Sequence, residues 1–152
     1  MKITCGFDLD GVLSKPCEKE LTTIKPNSFE EIEYYIKRKQ HINVKFNFIV
    51  ITGRPRRLRP VTEAWFINNF KYCPKIYFVG CASKEGKLLK YFGQKWAEEK
   101  YAKIQSKAKA KIINKLNLLF YWEDNFKIVK ILRKLCPKTS IIWINNHYNS
   151  KK

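Results

Sequence analysis

The sequence predicts an α/β fold, a Rossmann-like three-layer sandwich around a mostly parallel sheet of about five strands. Two observations predict it. Short apolar runs alternate with helical stretches along the whole chain, the pattern of strand–helix–strand units whose sheet is covered on both faces. The apolar runs also end repeatedly in acids or a hydroxyl: Asp8 and Asp10 after the first, Thr52 after the second, Glu123 and Asp124 after the fourth. In open α/β sheets ligands bind at the carboxyl ends of the strands. The 152 residues are enough for a real core and read as one domain, 1–152, with no repeat and no interdomain linker.

The elements follow in order. Residues 2–7 alternate Ile3, Cys5 and Phe7 as a short strand should. Residues 14–27 hold two prolines and mixed polar residues and read as an irregular loop or small flap. Ser28 caps a helix with Glu30 and Glu31 in its first turn, continuing through Ile32, Tyr35 and Ile36 to about Lys39. Residues 46–51 form a second strand, apolar enough to be buried on both faces. A basic loop over 54–59 leads past Pro60 into a helix carrying Val61, Ala64, Trp65, Ile67 and Phe70, which makes Trp65 a core residue. Residues 75–80 are the third strand. A basic helical region over 84–116, broken near Gly93, sets ten lysines against Glu85, Glu98 and Glu99. Residues 118–122 are the fourth strand. A helix through Ile128, Ile131, Leu132 and Leu135 is stopped by Pro137, and 140–144 are the last strand.

Composition removes several classes. Hydrophobic content of 45% and aromatic content of 14% exclude a disordered chain. No apolar run is long enough to span a bilayer, and the chain enters a strand at once, so no signal peptide is expected. Five cysteines (5, 17, 73, 81 and 136) are an odd number without a CxxC pair. They argue for reduced thiols in a cytoplasmic protein and against a zinc site. The 31 basic against 13 acidic residues give a net charge of +18, which suggests a polyanionic partner, nucleic acid first. General lysine richness is the competing explanation.

Asp8 and Asp10 stand two residues apart, but a strand ending at Asp8 lets them diverge, and Gly11 lets the backbone turn sharply toward a ligand. Carboxylates delivered to a strand end in this way suit a metal-assisted phosphate site. An EF-hand does not fit, because taking Gly11 as the loop glycine makes Gly6 and Cys17 its first and twelfth ligands. Residues 80–88 resemble a phosphate loop superficially, but they hold one residue too many between the glycines, and Leu88 replaces the magnesium-binding hydroxyl. His41 and His147 have no evident partners and are read as structural.

These motifs together resemble the haloacid dehalogenase-like phosphohydrolase superfamily over nearly the whole chain. Asp8-Leu9-Asp10-Gly11-Val12 is similar to its first motif and Ile49-Val50-Ile51-Thr52-Gly53 to its second. A lysine at a helix start stands for the third, and Glu123-Asp124 for the acidic fourth, although Glu123 departs from the usual aspartate. The resemblance implies a magnesium-dependent phosphatase. Asp8 attacks phosphorus to form an aspartyl phosphate, and Asp10 protonates the leaving oxygen and later deprotonates water. Mg2+ is expected on the Asp8 carboxylate, the Asp10 backbone carbonyl and Asp124, with Glu123 acting through water or a partner group. Family members acting on carbon–halogen bonds lack the second acid. Thr52, Gly53, Arg54 and a lysine are expected to bind phosphate. Spacing favours Lys109, with Lys107 and Lys103 also near the helix start.

Substrate class depends on what covers the site. Neither insertion point leaves room for a large cap, since only about 15–20 residues of a basic helical insertion around 84–106 exceed a bare α/β unit. An open site admits large substrates. Thr52-Gly53-Arg54-Pro55 followed by Arg56, Arg57, Arg59, Thr62 and Trp65 is similar to the phosphatase domain of polynucleotide kinase 3′-phosphatases. The expected activity is therefore removal of a terminal 3′-phosphate from DNA or RNA, with Arg56, Arg57 and Arg59 gripping the backbone. Trp96 and Tyr101 are the candidate base-stacking residues. A small-molecule nucleotidase of the same fold is the alternative, and a non-catalytic nucleic-acid-binding protein the third possibility.

Overall fold

The computed structural model describes residues 5–15, 28–80 and 94–145. Its centre is β1 (Cys5–Phe7), three residues buried on both faces. On one side β1 pairs with β2 (Phe48–Thr52), which pairs with β3 (Lys75–Phe78). On the other side it pairs with β4 (Phe120–Glu123), which pairs with β5 (Ser140–Trp143). The order is β3-β2-β1-β4-β5, and every pair is parallel. The expectation of five strands holds, and the sheet is wholly parallel.

Helices cover both faces, as a parallel sheet requires. They are α1 (Phe29–Ile36), α2 (Arg59–Phe70), α3 (Gln94–Lys115) and α4 (Phe126–Leu135). Alternate strand residues sort into two cores. Phe7, Phe48 and Val50 pack with Trp65 and Phe66 of α2, while Ile51, Tyr121 and Ile141 pack with Ile113 of α3 and Ile128 and Leu132 of α4. Trp65 is fully inside, as its place on the apolar helix face predicts. Among the described residues every element belongs to the sheet or to a layer on it, and none forms a cap.

The boundaries differ from expectation where tertiary bonds intervene. α1 is capped by the Ser28 hydroxyl, which accepts from the Glu31 amide at 3.1 Å, but it ends at Ile36 rather than near Lys39. Beyond it the chain is drawn off the helix path: the Lys39 carbonyl accepts from the Lys15 amide and the Arg38 carbonyl from the Trp65 indole. β2 begins at Phe48, where its pairing with Cys5 begins, and leaves Phe46 exposed. β4 begins at Phe120 because Asn117, at φ 49°, reverses the chain after α3 and the Leu118 amide bonds back to Ile113. Residues 2–4, most of the predicted loop over 14–27, the 80–88 segment beyond Gly80, the 84–93 part of the basic insertion and His147 lie outside the described residues.

Candidate active site

The strand order reverses direction at β1, which makes its carboxyl end, between β2 and β4, the place where an α/β sheet binds ligands. Asp8 leaves β1 there and is tied to β4 by its amide, which donates to the Trp122 carbonyl at 2.8 Å. The Leu9 carbonyl accepts from the amides of Leu13 and Ser14, so the chain turns back at once. Gly11 sits in this turn at φ +86°, and a methyl group built on it would overlap the Asp124 carboxylate. Glycine is required twice over: for its left-handed backbone and for the close approach of Asp124.

One lysine faces Asp8, and it is Lys109. Its fully buried ammonium lies 2.9 Å from Asp8 Oδ2 and 2.7 Å from Glu123 Oε2, whereas Lys103 and Lys107 point to solvent. Glu123 is completed by the Asn125 amide, which donates to Oε1 at 3.2 Å. Oxygens of Asp8, Glu123 and Asp124 all lie within 4.8 Å of one another. Burial, then repulsion from Glu123, raises the Asp8 carboxyl to about 8 despite Lys109. Burial and repulsion from Asp8 raise Asp124 to about 7. Burial alone would lower Lys109, but Asp8 and Glu123 outweigh it and hold the ammonium charged.

Three carboxylates against one ammonium leave an excess of negative charge, which adds to burial in raising the two acids. A hard divalent cation coordinated by oxygen would relieve it. The residues therefore fit Mg2+, with Asp8 and Asp124 as ligands and Glu123 occupied by Lys109. The Asp10 side chain stands apart from this group.

Asp10 is instead held by two arginines. Arg54 Nε and Nη2 donate to its two oxygens at 2.9 and 2.6 Å, and Arg38 Nη1 bonds Oδ1 as well. Burial alone would raise the Asp10 carboxyl, but the two guanidinium groups hold it well below the usual carboxylate range. Arg54 is 1% exposed, bonds the Thr62 hydroxyl at 3.1 Å and stacks over Tyr35. The predicted phosphate ligand Arg54 is thus engaged with the predicted proton shuttle. Arg57 is likewise paired with Glu31 and Arg59 with Glu63, because α1 and α2 place these acids within reach; of the basic loop, Arg56 is exposed without an ion pair among the described residues.

Thr52 is buried at the end of β2, where its hydroxyl accepts from the Arg54 amide at 3.2 Å. α3 lays Tyr101, Gln105 and Lys109 along one ridge over the site. The Tyr101 hydroxyl and the Gln105 carboxamide both crowd Gly53, so Tyr101 lies against the strand end rather than in solvent. The Trp96 side chain is outside the described residues. The His41 amide donates to the Leu13 carbonyl at 2.7 Å.

Sequence reasoning missed Arg38, Gln105 and Trp143 at this edge. Arg38 lies just past a helix end, with no motif to mark it. Only the four-residue spacing of Gln105 from Lys109 could have suggested the second. The chain matches no family model, no curated protein and no solved structure. No helix of the described residues is long and apolar enough to cross a membrane.

Proposed function

We propose that the chain is a magnesium-dependent phosphatase of the haloacid dehalogenase-like type, acting on phosphate monoesters at nucleic-acid ends. The observation that carries it is the buried Asp8–Lys109–Glu123 chain with Asp124 beside it, at the carboxyl ends of β1 and β4. A phosphate monoester is a dianion that repels nucleophiles, so a site for it needs both a carboxylate and fixed positive charge. Bound Mg2+ would supply further charge neutralisation to the phosphoryl oxygens.

Asp8 is the nucleophile. Its carboxylate oxygen forms a bond to phosphorus as the bond to the ester oxygen breaks, and Lys109 offsets the charge of both groups. Thr52 and the Gly53 amide face the same edge and bind phosphoryl oxygens. Asp10 gives its proton to the departing alkoxide, then takes one from the water that splits the aspartyl phosphate. For the first transfer Asp10 must leave its arginine clamp protonated. A dianionic phosphoryl group competes with Asp10 for Arg54, which returns Arg54 to the phosphate-binding role expected from its motif.

Nucleic acid is the favoured substrate because the charge is +18 and no cap covers the site among the described residues. Three described cysteines, Cys5, Cys73 and Cys136, are free thiols, in keeping with a cytoplasmic setting. The test is phosphate release with Mg2+ from a 3′-phosphorylated oligonucleotide, from nucleoside monophosphates and from an aryl phosphate. The oligonucleotide is expected to be the best substrate, with Asp8→Asn reduced to background. Release unaffected by Asp8→Asn, or none from any substrate, overturns the enzyme assignment. Preference for the mononucleotides assigns a small-molecule nucleotidase instead.

A further inference from the structure

Beside the acidic cluster the sheet edge carries two exposed aromatic rings. Trp143 ends the edge strand β5, in register with Glu123, and Phe126 opens α4 two residues after Asp124. They are 37% and 42% exposed, with ring centroids 4.7 Å apart. The Trp143 indole is fixed to the site, since its N–H donates to the Asp124 carbonyl at 3.0 Å. Phe126 backs it from one side and is itself backed by the Lys130 ammonium, 4.6 Å from its ring centroid. No third ring packs on Trp143 among the described residues. α4, which carries Phe126, holds Lys127, Lys130, Arg133 and Lys134 and no acid, with Lys127 paired to Glu98 of α3 at 2.6 Å.

An apolar core does not account for this arrangement. The rings sit at the strand end where ligands bind, while their neighbours Ile128 and Ile141 are buried in the core. A flat ring anchored beside a phosphate site, next to a helix whose charged residues are all basic, matches the two demands of a single-stranded nucleic-acid end. The base needs a π surface and the backbone needs positive charge. In a terminal 3′-nucleotide one sugar separates the phosphate from the base, so a phosphate bound at Asp8 leaves its own base within the reach of a ring hydrogen-bonded to Asp124.

We propose that Trp143, propped by Phe126, is the stacking platform for the terminal nucleobase of a single-stranded 3′-phosphorylated nucleic acid. The proposal rests on the phosphatase assignment and narrows its substrate. It sets beside Trp96 and Tyr101, the stacking residues expected from sequence, a pair that the tertiary structure brings to the site.

The experiment compares kcat/KM for a 3′-phosphorylated oligonucleotide with kcat/KM for glycerol phosphate, an aliphatic ester with no ring to stack. Taking the ratio cancels any general loss from disturbing the Asp124 tether. Trp143→Ala is expected to lower the ratio about tenfold, the order contributed by one base–aromatic stack. Trp143→Phe, which keeps a ring but loses the N–H, should keep most of the preference. An oligonucleotide with an abasic terminal nucleotide should lose the same factor on the wild-type protein and lose little more on Trp143→Ala. If the wild type is active and the ratio stays within about twofold in Trp143→Ala, or the abasic end is no worse, the platform is overturned and the phosphatase assignment stands. If the wild type releases phosphate from neither ester, both fall.

Discussion

Replacing Lys109 with methionine keeps most of the length of the side chain and removes its charge, leaving buried Asp8 and Glu123 and half-buried Asp124 together without a cation. At 2.9 and 2.7 Å the two ion pairs are each worth about 6 kcal/mol of Coulomb energy at an effective dielectric constant of about 20. Desolvation of the lysine offsets much of this, and removing one partner of a buried charge cluster costs about 3–5 kcal/mol net. For a chain of this size each kcal/mol moves the melting temperature by about 2–4 °C, so Lys109→Met should melt about 6–20 °C below the wild type. The assay is thermal unfolding at pH 8 in a chelator, repeated at pH 6 and with Mg2+. At pH 6 the gap should narrow, because Asp8 and Asp124 can then take up protons in place of the lost cation. Mg2+ should restore part of the stability without restoring turnover. A variant melting within about 2 °C of the wild type at pH 8 without metal refutes the reasoning, since it would mean that the three carboxylates do not depend on Lys109.

Three further outcomes are expected. Folding raises Asp8 from 3.8 to about 8 and Asp124 from 3.8 to about 7, so their stabilising contribution is complete below pH 4 and is lost as pH rises through 7 to 8. In a chelator the wild-type melting temperature should therefore fall between pH 6 and 8.5, with Mg2+ abolishing the fall; a rise over that range contradicts the burial of these acids. Gly11→Ala should cost about 1–2 kcal/mol of backbone strain and weaken Mg2+ binding in calorimetry by at least about tenfold, because the methyl group displaces Asp124. Gly80→Ala is its control: Gly80 has φ +69° but nothing within 4 Å of the added carbon, so stability should drop with Mg2+ affinity intact. Arg54→Met should destabilise by about 3 kcal/mol in urea unfolding, the low end for a broken buried pair, because Asp10 is 30% exposed and keeps Arg38. A loss under about 1 kcal/mol would mean that the clamp on Asp10 is not formed in solution.

The alternation of apolar runs and helices was enough to determine the α/β class, and the residues ending those runs marked the edge where chemistry is concentrated. Both are local properties: strand and helix periods are written in consecutive residues, and a parallel sheet gathers all its carboxyl ends on one side. For the same reason Asp8, Thr52, Glu123 and Asp124 were identifiable one strand at a time. Element ends were less legible, as at Ile36, where bonds from Lys15 and Trp65 draw the chain away from a helix its sequence would continue.

Only the tertiary structure selected among residues that look alike in the chain. Lys103, Lys107 and Lys109 share composition and helix, but the rotation of α3 against β4 turns Lys109 alone into the acids. Arg54, Arg57 and Arg59 read as one basic loop. Folding brings Asp10 to Arg54 and Glu31 to Arg57, and a nearby carboxylate takes up a guanidinium that the sequence leaves open, whereas Arg59 meets Glu63 four residues along its own helix. Trp143 carries no motif, and its place beside Asp124 follows from the pairing of β5 with β4. Sequence by itself determined which chemical groups stand at the strand ends. Which of them meet, and with what charge around them, depends on contacts between residues far apart in the chain, and only the folded packing supplies those.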